Sequence, residues 1–128
     1  RVSRGLGDVY KRQLRVRPRS RVVALSEYGG IAWPMPGHEP PHKTYGYGTA
    51  KSREELTARY KKLQLGAVLP QLQKGLSALV YTQVSDVEEE INGIFTYDRE
   101  AVKPDETAVR EINVALAAEF ARCTRKKP

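Results

Sequence analysis

Cysteine is nearly absent from this chain. Cys123 stands alone among 128 residues, which excludes an internal disulfide framework and a zinc site built on cysteine pairs. Histidine is almost as scarce, with His38 and His42 only. No apolar run approaches the roughly 20 residues that a membrane-spanning helix needs. The hydrophobic share, 40%, is ordinary for a globular domain, and the length suits one such domain. Position 1 is Arg rather than Met, so the frame is expected to open mid-gene or after processing.

An excess of acid is missing too, and the excess of base is local. Residues 1–21 hold eight Arg and Lys against Asp8 alone, which accounts for the whole net charge of +7. Residues 22–128 carry 14 basic and 14 acidic residues and are neutral as a set. A nucleic-acid surface interleaves its cations with stacking aromatics or sets them on one element. The opening segment offers only Tyr10 and shows no helical or strand period, so no nucleic-acid partner is expected. Asp8 to Gln13 is what the standard code gives for gat gtg tat aag aga cag, the core of a transposase-type sequencing adapter. Residues 1–13 are therefore expected to be a disordered, artefactual leader that takes no part in the fold; a disordered basic tail is the alternative.

The remainder reads as two βα units. Arg21 to Ser26 is a strand, and its apolar or small run, Val22 to Ser26, suits a parallel strand covered on both faces. Residues 28–50 form a long loop rich in Gly, Pro and aromatics, and loops of that length are usually functional. Ser52 followed by Glu55 is a capping box that opens a helix, and Leu56, Tyr60, Leu63 and Ala67 form its buried stripe. Pro70 should kink or restart that helix near Leu69, and Gly75 should end it. Leu76 to Val84 is the second strand and Asp86 to Asn92 an acidic turn. Lys103-Pro104-Asp105 introduces a last helix with Val109, Ile112, Leu116 and Phe120 inward. Basic residues crowd its end, where cations suit the helix dipole.

Glu27 is the residue on which chemistry is expected. It closes the first apolar run and is followed by Tyr28-Gly29-Gly30. A carboxylate at the C-terminal end of a strand lies where a (β/α)8 barrel does its chemistry. Leu25-Ser26-Glu27-Tyr28-Gly29-Gly30 resembles the seventh-strand nucleophile motif of glycoside hydrolase family 2, the β-galactosidase and β-glucuronidase family. A longer string, Tyr81-Thr82-Gln83-Val84-Ser85-Asp86-Val87-Glu88-Glu89-Glu90-Ile91-Asn92-Gly93-Ile94-Phe95-Thr96-Tyr97-Asp98-Arg99, is similar to the eighth strand and following loop of one bacterial branch of that family. Tyr45-Gly46-Tyr47-Gly48 fits the same branch, and the likeness covers roughly residues 20–115.

The resemblance implies an α/β fold: the last two βα units of a (β/α)8 TIM barrel, seventh strand to eighth helix, over residues 14–128. It implies a retaining β-glycosidase with Glu27 as the ionised nucleophile, a β-glycoside as substrate, and neither cofactor nor metal. Retaining enzymes pair the nucleophile with an acid/base carboxyl about 5–5.5 Å away. In this family that Glu follows an Asn after the fourth strand. No Asn-Glu pair occurs in the chain, so the acid/base is expected upstream, about 80–150 residues before Glu27 at barrel dimensions, and the chain alone is expected to be inactive. The rest of the barrel is then its missing partner. Tyr81 matches an aromatic the family sets beside the sugar. Gln83, two residues on, is expected on the same strand face. Trp33 is a third substrate-binding candidate, as a stacking platform, and packing under its loop competes with that role. Asp86 suits a turn cap better than a sugar hydroxyl. Some family members have a His shortly after the nucleophile motif; here Gly30, Ile31, Ala32 and Trp33 follow, which leaves the sugar open.

Other signals point to no chemistry. His38-Glu39-Pro40-Pro41-His42 matches a metalloprotease string, but Pro40 and Pro41 forbid the helix that would aim both His at one ion. The glycines near Lys51-Ser52 lack phosphate-loop spacing. Asp86, Glu88, Glu89 and Glu90 lack the spacing and glycine of a calcium loop. Cys123 reads as an ordinary cysteine at a helix end. The rival reading is a small self-contained α/β binding module without activity, and a third is a carbohydrate-binding fragment.

Overall fold

The computed structural model describes residues 22–41, 43–44 and 48–125. The leader, the strand start at Arg21, His42, the Tyr45-Gly46-Tyr47 string and the last three residues lie outside that set. The elements are β1 (Val23–Gly29), α1 (Arg53–Lys61), a π-helical stretch (Lys62–Val68), α2 (Leu69–Leu72), β2 (Leu76–Thr82) and α3 (Glu106–Thr124). The two strands pair in parallel, as two strands joined through a helix should. The protein is mixed α/β with the expected element order.

Sequence chemistry accounts for most boundaries. Ser52 caps α1: its Oγ accepts the Glu55 N–H at 3.2 Å. The return arm of the box lands one residue early, with Glu55 Oε2 accepting from Lys51 N at 2.8 Å. Pro70 has no N–H to give. The coil widens just before it, where the Leu69 N–H reaches back five residues to Gln64 O, and returns to α-helix at Leu69. The interruption expected at Pro70 is thus a change of pitch rather than a break. Gly75 takes φ +101° and donates to Leu72 O at 3.1 Å. Asp105 caps α3 by accepting from Ala108 N at 2.7 Å.

The main core lies between the sheet and the helices. Tyr28, Leu63, Val68, Leu72 and Leu76 are buried there, with Val23, Leu25, Leu79, Tyr81 and Leu116 packed against them. Every strand residue in this cluster faces the helices. Their alternates do not: Ala24, Ser26, Glu27, Ala78 and Val80 are exposed. The expectation of a strand covered on both faces is therefore met on one face only, because helices lie over one side of the sheet and no described residue covers the other.

Two boundaries, one loop and one stripe differ from expectation. β1 runs on through Glu27 to Gly29 and β2 stops at Thr82. The ladder ends where Gly29 meets Thr82; beyond it the Gln83 carbonyl accepts from Ile94 N at 3.0 Å, which draws the chain into the next loop. Residues 28–50 are not structureless. Ile31, Trp33, Ala50 and Leu56 form a second buried cluster with Met35 beside it. On α3, Ile112 is buried and Leu116 half-buried, but Phe120 is 40% exposed. Glu119 takes the inward place instead and accepts from Gln73 Nε2 at 2.8 Å.

Candidate functional site

Glu27 sits in a bulge near the C-terminal end of β1. Leu25 pairs with Leu79 and Tyr28 with Tyr81, so β1 spends one more residue than β2 over that interval. An extra residue of this kind bends a strand and re-aims its side chains, and bulges recur next to active sites. Here it leaves Ser26 and Glu27 both exposed while Tyr28 returns to the core. Among the described residues none hydrogen-bonds or pairs with the Glu27 carboxylate.

The glycines after Glu27 bring the two strand ends together. Gly29 has φ +101°, and a Cβ there would lie 2.3 Å from the Tyr81 ring. Only glycine allows that approach without a shift. Gly30 N donates to Thr82 O at 2.8 Å. Farther on, Trp33 N donates to Ile91 O at 3.0 Å and Ala50 N to Ala32 O at 2.7 Å. The loop after β1 is thus stitched to the loop after β2 at the C-terminal end of the sheet.

Tyr81 packs in the core on the helix side, and Gln83 bonds to the loop after β2. The Tyr81 ring meets Tyr28 and Tyr60 edge-on, each at 5.4 Å between centroids. Tyr60 belongs to α1, so Tyr81 faces the helix layer, away from the side Glu27 occupies. Its neighbours make this a packed core. The Tyr28 hydroxyl accepts from Gln64 Nε2 at 3.0 Å, and burial raises the pKa of both Tyr28 and Tyr60. Gln83 lies beyond the end of β2, where strand alternation no longer applies. Its Nε2 donates to Asn92 Oδ1 at 2.8 Å and to Glu90 Oε2 at 3.2 Å, and Asn92 Nδ2 donates to the same Glu90 oxygen at 3.2 Å. Trp33 is 8% exposed within the second cluster, which gives it a packing role in this arrangement.

A buried ion pair holds the loop that carries Glu90 and Asn92. Lys103 is fully buried, and its Nζ donates to Asp86 Oδ1 at 2.9 Å, Asp86 Oδ2 at 3.0 Å and Ile91 O at 2.8 Å. Asp86 Oδ1 also accepts from Gly93 N at 2.8 Å. Asp86 therefore ties the turn, as its capping reading anticipates, and does so from the interior. Desolvation pushes the Asp86 pKa up and the Lys103 pKa down, while each partner favours the charge of the other. Gly93 permits the tight crossing: a Cβ would meet the Ser85 backbone at 2.2 Å. Nothing in the sequence marked Lys103, since lysines are almost never fully buried unless paired.

His38 is not on a helix. Its Nδ1 lies 2.7 Å from Asp98 Oδ2, a second tie between the two loops. Thr96, Glu100 N and His38 together hold the Asp98 pKa at about 2. The ligand atoms of His38, Asp98 and Glu100 fall within 4.8 Å of one another. This small surface group has its own hydrogen bonds and no direct tie to Glu27. Among the described residues no helix is long and apolar enough to cross a membrane. No family model matches the chain, and no curated protein matches it.

Proposed function

We propose that this chain is the C-terminal part of the (β/α)8 catalytic barrel of a retaining β-glycosidase, with Glu27 as the nucleophile. The observation that supports it most is the placement of Glu27: a carboxylate on a bulge, at the C-terminal end of a parallel strand, on the face opposite the helices. In a closed barrel that face looks inward and the C-terminal rim carries the chemistry. Parallel sheets are found almost only with both faces covered. Among the described residues the parallel pair has a bare face and two free outer edges, which suits a segment whose neighbours complete a barrel.

In this reading the Glu27 carboxylate attacks the anomeric carbon. The C1–O bond breaks, and the leaving oxygen takes a proton from the acid/base carboxyl supplied by the upstream strands. The same group then removes a proton from water, which attacks C1 and frees Glu27. Gln83 stands at the rim as a sugar contact. The orientations of Tyr81 and Trp33 suit them to shaping the wall beneath and beside the site. The Glu27 carboxylate is left unpaired by the described residues, so its orienting hydrogen bonds come from the rest of the barrel.

The test is made on the completed enzyme. Glu27→Ala should lower turnover of an aryl β-glycoside by at least about 1000-fold, on the scale of losing a covalent nucleophile. Added azide should restore turnover and yield the glycosyl azide of inverted configuration, because the small anion attacks from the vacated side. Near-normal activity in Glu27→Ala would remove the assignment.

A further inference from the structure

Asn92-Gly93 is the one Asn-Gly step in the chain; the other asparagine, Asn113, precedes Val114. Asparagine is a thermolabile residue, because its side-chain carbonyl carbon lies within reach of the backbone nitrogen that follows. A glycine there has no Cβ to hinder the approach. The fold needs that glycine for a different reason: a Cβ at Gly93 would collide with the Ser85 and Asp86 backbone. The close crossing of two backbone segments therefore sets the most labile partner for an asparagine inside the loop after β2.

The folded loop restrains this step at both ends. Gly93 N, the atom that would attack, donates to Asp86 Oδ1 at 2.8 Å. Asp86 is itself held by Lys103 Nζ at 2.9 and 3.0 Å, and the same Nζ donates to Ile91 O at 2.8 Å. Carboxylate, ammonium and the carbonyl just before Asn92 thus form one fixed unit. The Asn92 side chain, the target, is bound through both of its polar atoms: Oδ1 accepts from Gln83 Nε2 at 2.8 Å and Nδ2 donates to Glu90 Oε2 at 3.2 Å. Ile91, Asn92 and Gly93 are all buried, which also keeps out the water that would complete the reaction.

We infer that Asn92-Gly93 is a latent modification site, a self-deamidating step that the Asp86–Lys103 pair holds closed and that opening of the loop after β2 releases. In the open loop Gly93 N gives up its proton to solvent and attacks Asn92 Cγ. The N–Cγ bond forms, the Cγ–Nδ2 bond breaks, and Nδ2 takes a proton from solvent and leaves as ammonia. Water then adds across either C–N bond of the cyclic imide and leaves aspartate or isoaspartate at position 92. The aspartate product has a carboxylate where an amide now donates to Glu90, so two like charges meet and reclosing is opposed. None of these steps involves Glu27.

The experiment is peptide mapping by mass spectrometry of the completed protein after incubation at mildly alkaline pH, once folded and once in concentrated urea. In urea Asn92 should deamidate well ahead of Asn113, where the β-branched Val114 crowds the nitrogen. In the fold Asn92 should react at least about 100-fold more slowly than in urea, because only the rare open form reacts. Hydrogen exchange at the Gly93 N–H should be slowed to the same degree within about tenfold, since one opening frees both. Asp86→Ala combined with Lys103→Met removes the latch without stranding a buried charge. That variant should raise the folded-state rate at least about tenfold, with a cooperative melt showing that it still folds. Equal rates at Asn92 in buffer and in urea would overturn the inference, as would a folded double variant that deamidates no faster than the parent. Should the double variant not fold, the unaltered protein decides: fast exchange at the Gly93 N–H beside an intact Asn92 would overturn the latch.

Discussion

The two faces of the β1–β2 sheet differ in nearly every respect. One carries Val23, Leu25, Tyr28, Leu76, Leu79 and Tyr81 into a closed core under the helices. The other presents Ala24, Ser26, Glu27, Ala78 and Val80 to solvent, with Val80 57% exposed. The first face is long-chained and aromatic, the second small and partly apolar. A surface meant for water would alternate large apolar residues with charged ones; this second face carries one charge, Glu27, near the C-terminal end of β1. The difference teaches that the strands were selected for burial on both sides, with the second cover made by other strands of the barrel we propose.

The comparison can be broken most sharply at Val80. In the completed enzyme Val80→Lys should cost about 3–5 kcal/mol, because it sets an unpaired charge inside a closed barrel. A change within about 0.5 kcal/mol, the range of ordinary surface positions, would mean that the bare face stays bare. Leu63→Ala provides the reference from the other side. Leu63 is 0% exposed, and its truncation should cost about 2–5 kcal/mol whatever covers the second face. Chemical denaturation of the two variants side by side measures both.

A smaller effect concerns the loops at the rim. Asp98, in the loop after β2, and Glu119, on α3, are both held at about 2 by their hydrogen-bond partners, below their ordinary values. A carboxylate with a depressed folded pKa adds stability above its unfolded pKa and loses it as pH falls through the folded value. Stability should therefore decline between about pH 4 and pH 2. Asp98→Asn should flatten that decline modestly, as expected for exposed groups; an unaltered slope would show that the hydrogen bonds Asp98 accepts from Thr96, Glu100 N and His38 contribute nothing to it.

Much of the scaffold was legible because local chemistry decides it. Ser52, Gly75 and Asp105 act as caps where their residue types say they should. The stripe Leu56, Tyr60, Leu63 follows helical spacing into the core. The failures have physical causes of their own. The second strand was expected to run to Val84; it ends at Thr82, so strand alternation stops short of Gln83. Phe120 was expected inward, but α3 turns Glu119 toward Gln73, and a hydrogen bond offered by a neighbouring helix leaves no trace in the periodicity. Lys103 reads as an ordinary surface lysine beside a proline; its burial depends on Asp86 and the Ile91 carbonyl, which only the folded loop brings to it. The bulge at Ser26 and Glu27 was also invisible, since register depends on both strands at once.

The central claim is that Glu27 bonds to the sugar. Its most direct test is mass spectrometry of the completed enzyme after inactivation by a 2-deoxy-2-fluoroglycoside with a dinitrophenolate leaving group, which needs no acid assistance to depart. The account predicts one fluoroglycosyl adduct, on the peptide that contains Glu27. Stoichiometric inactivation with the adduct on any other residue would contradict it.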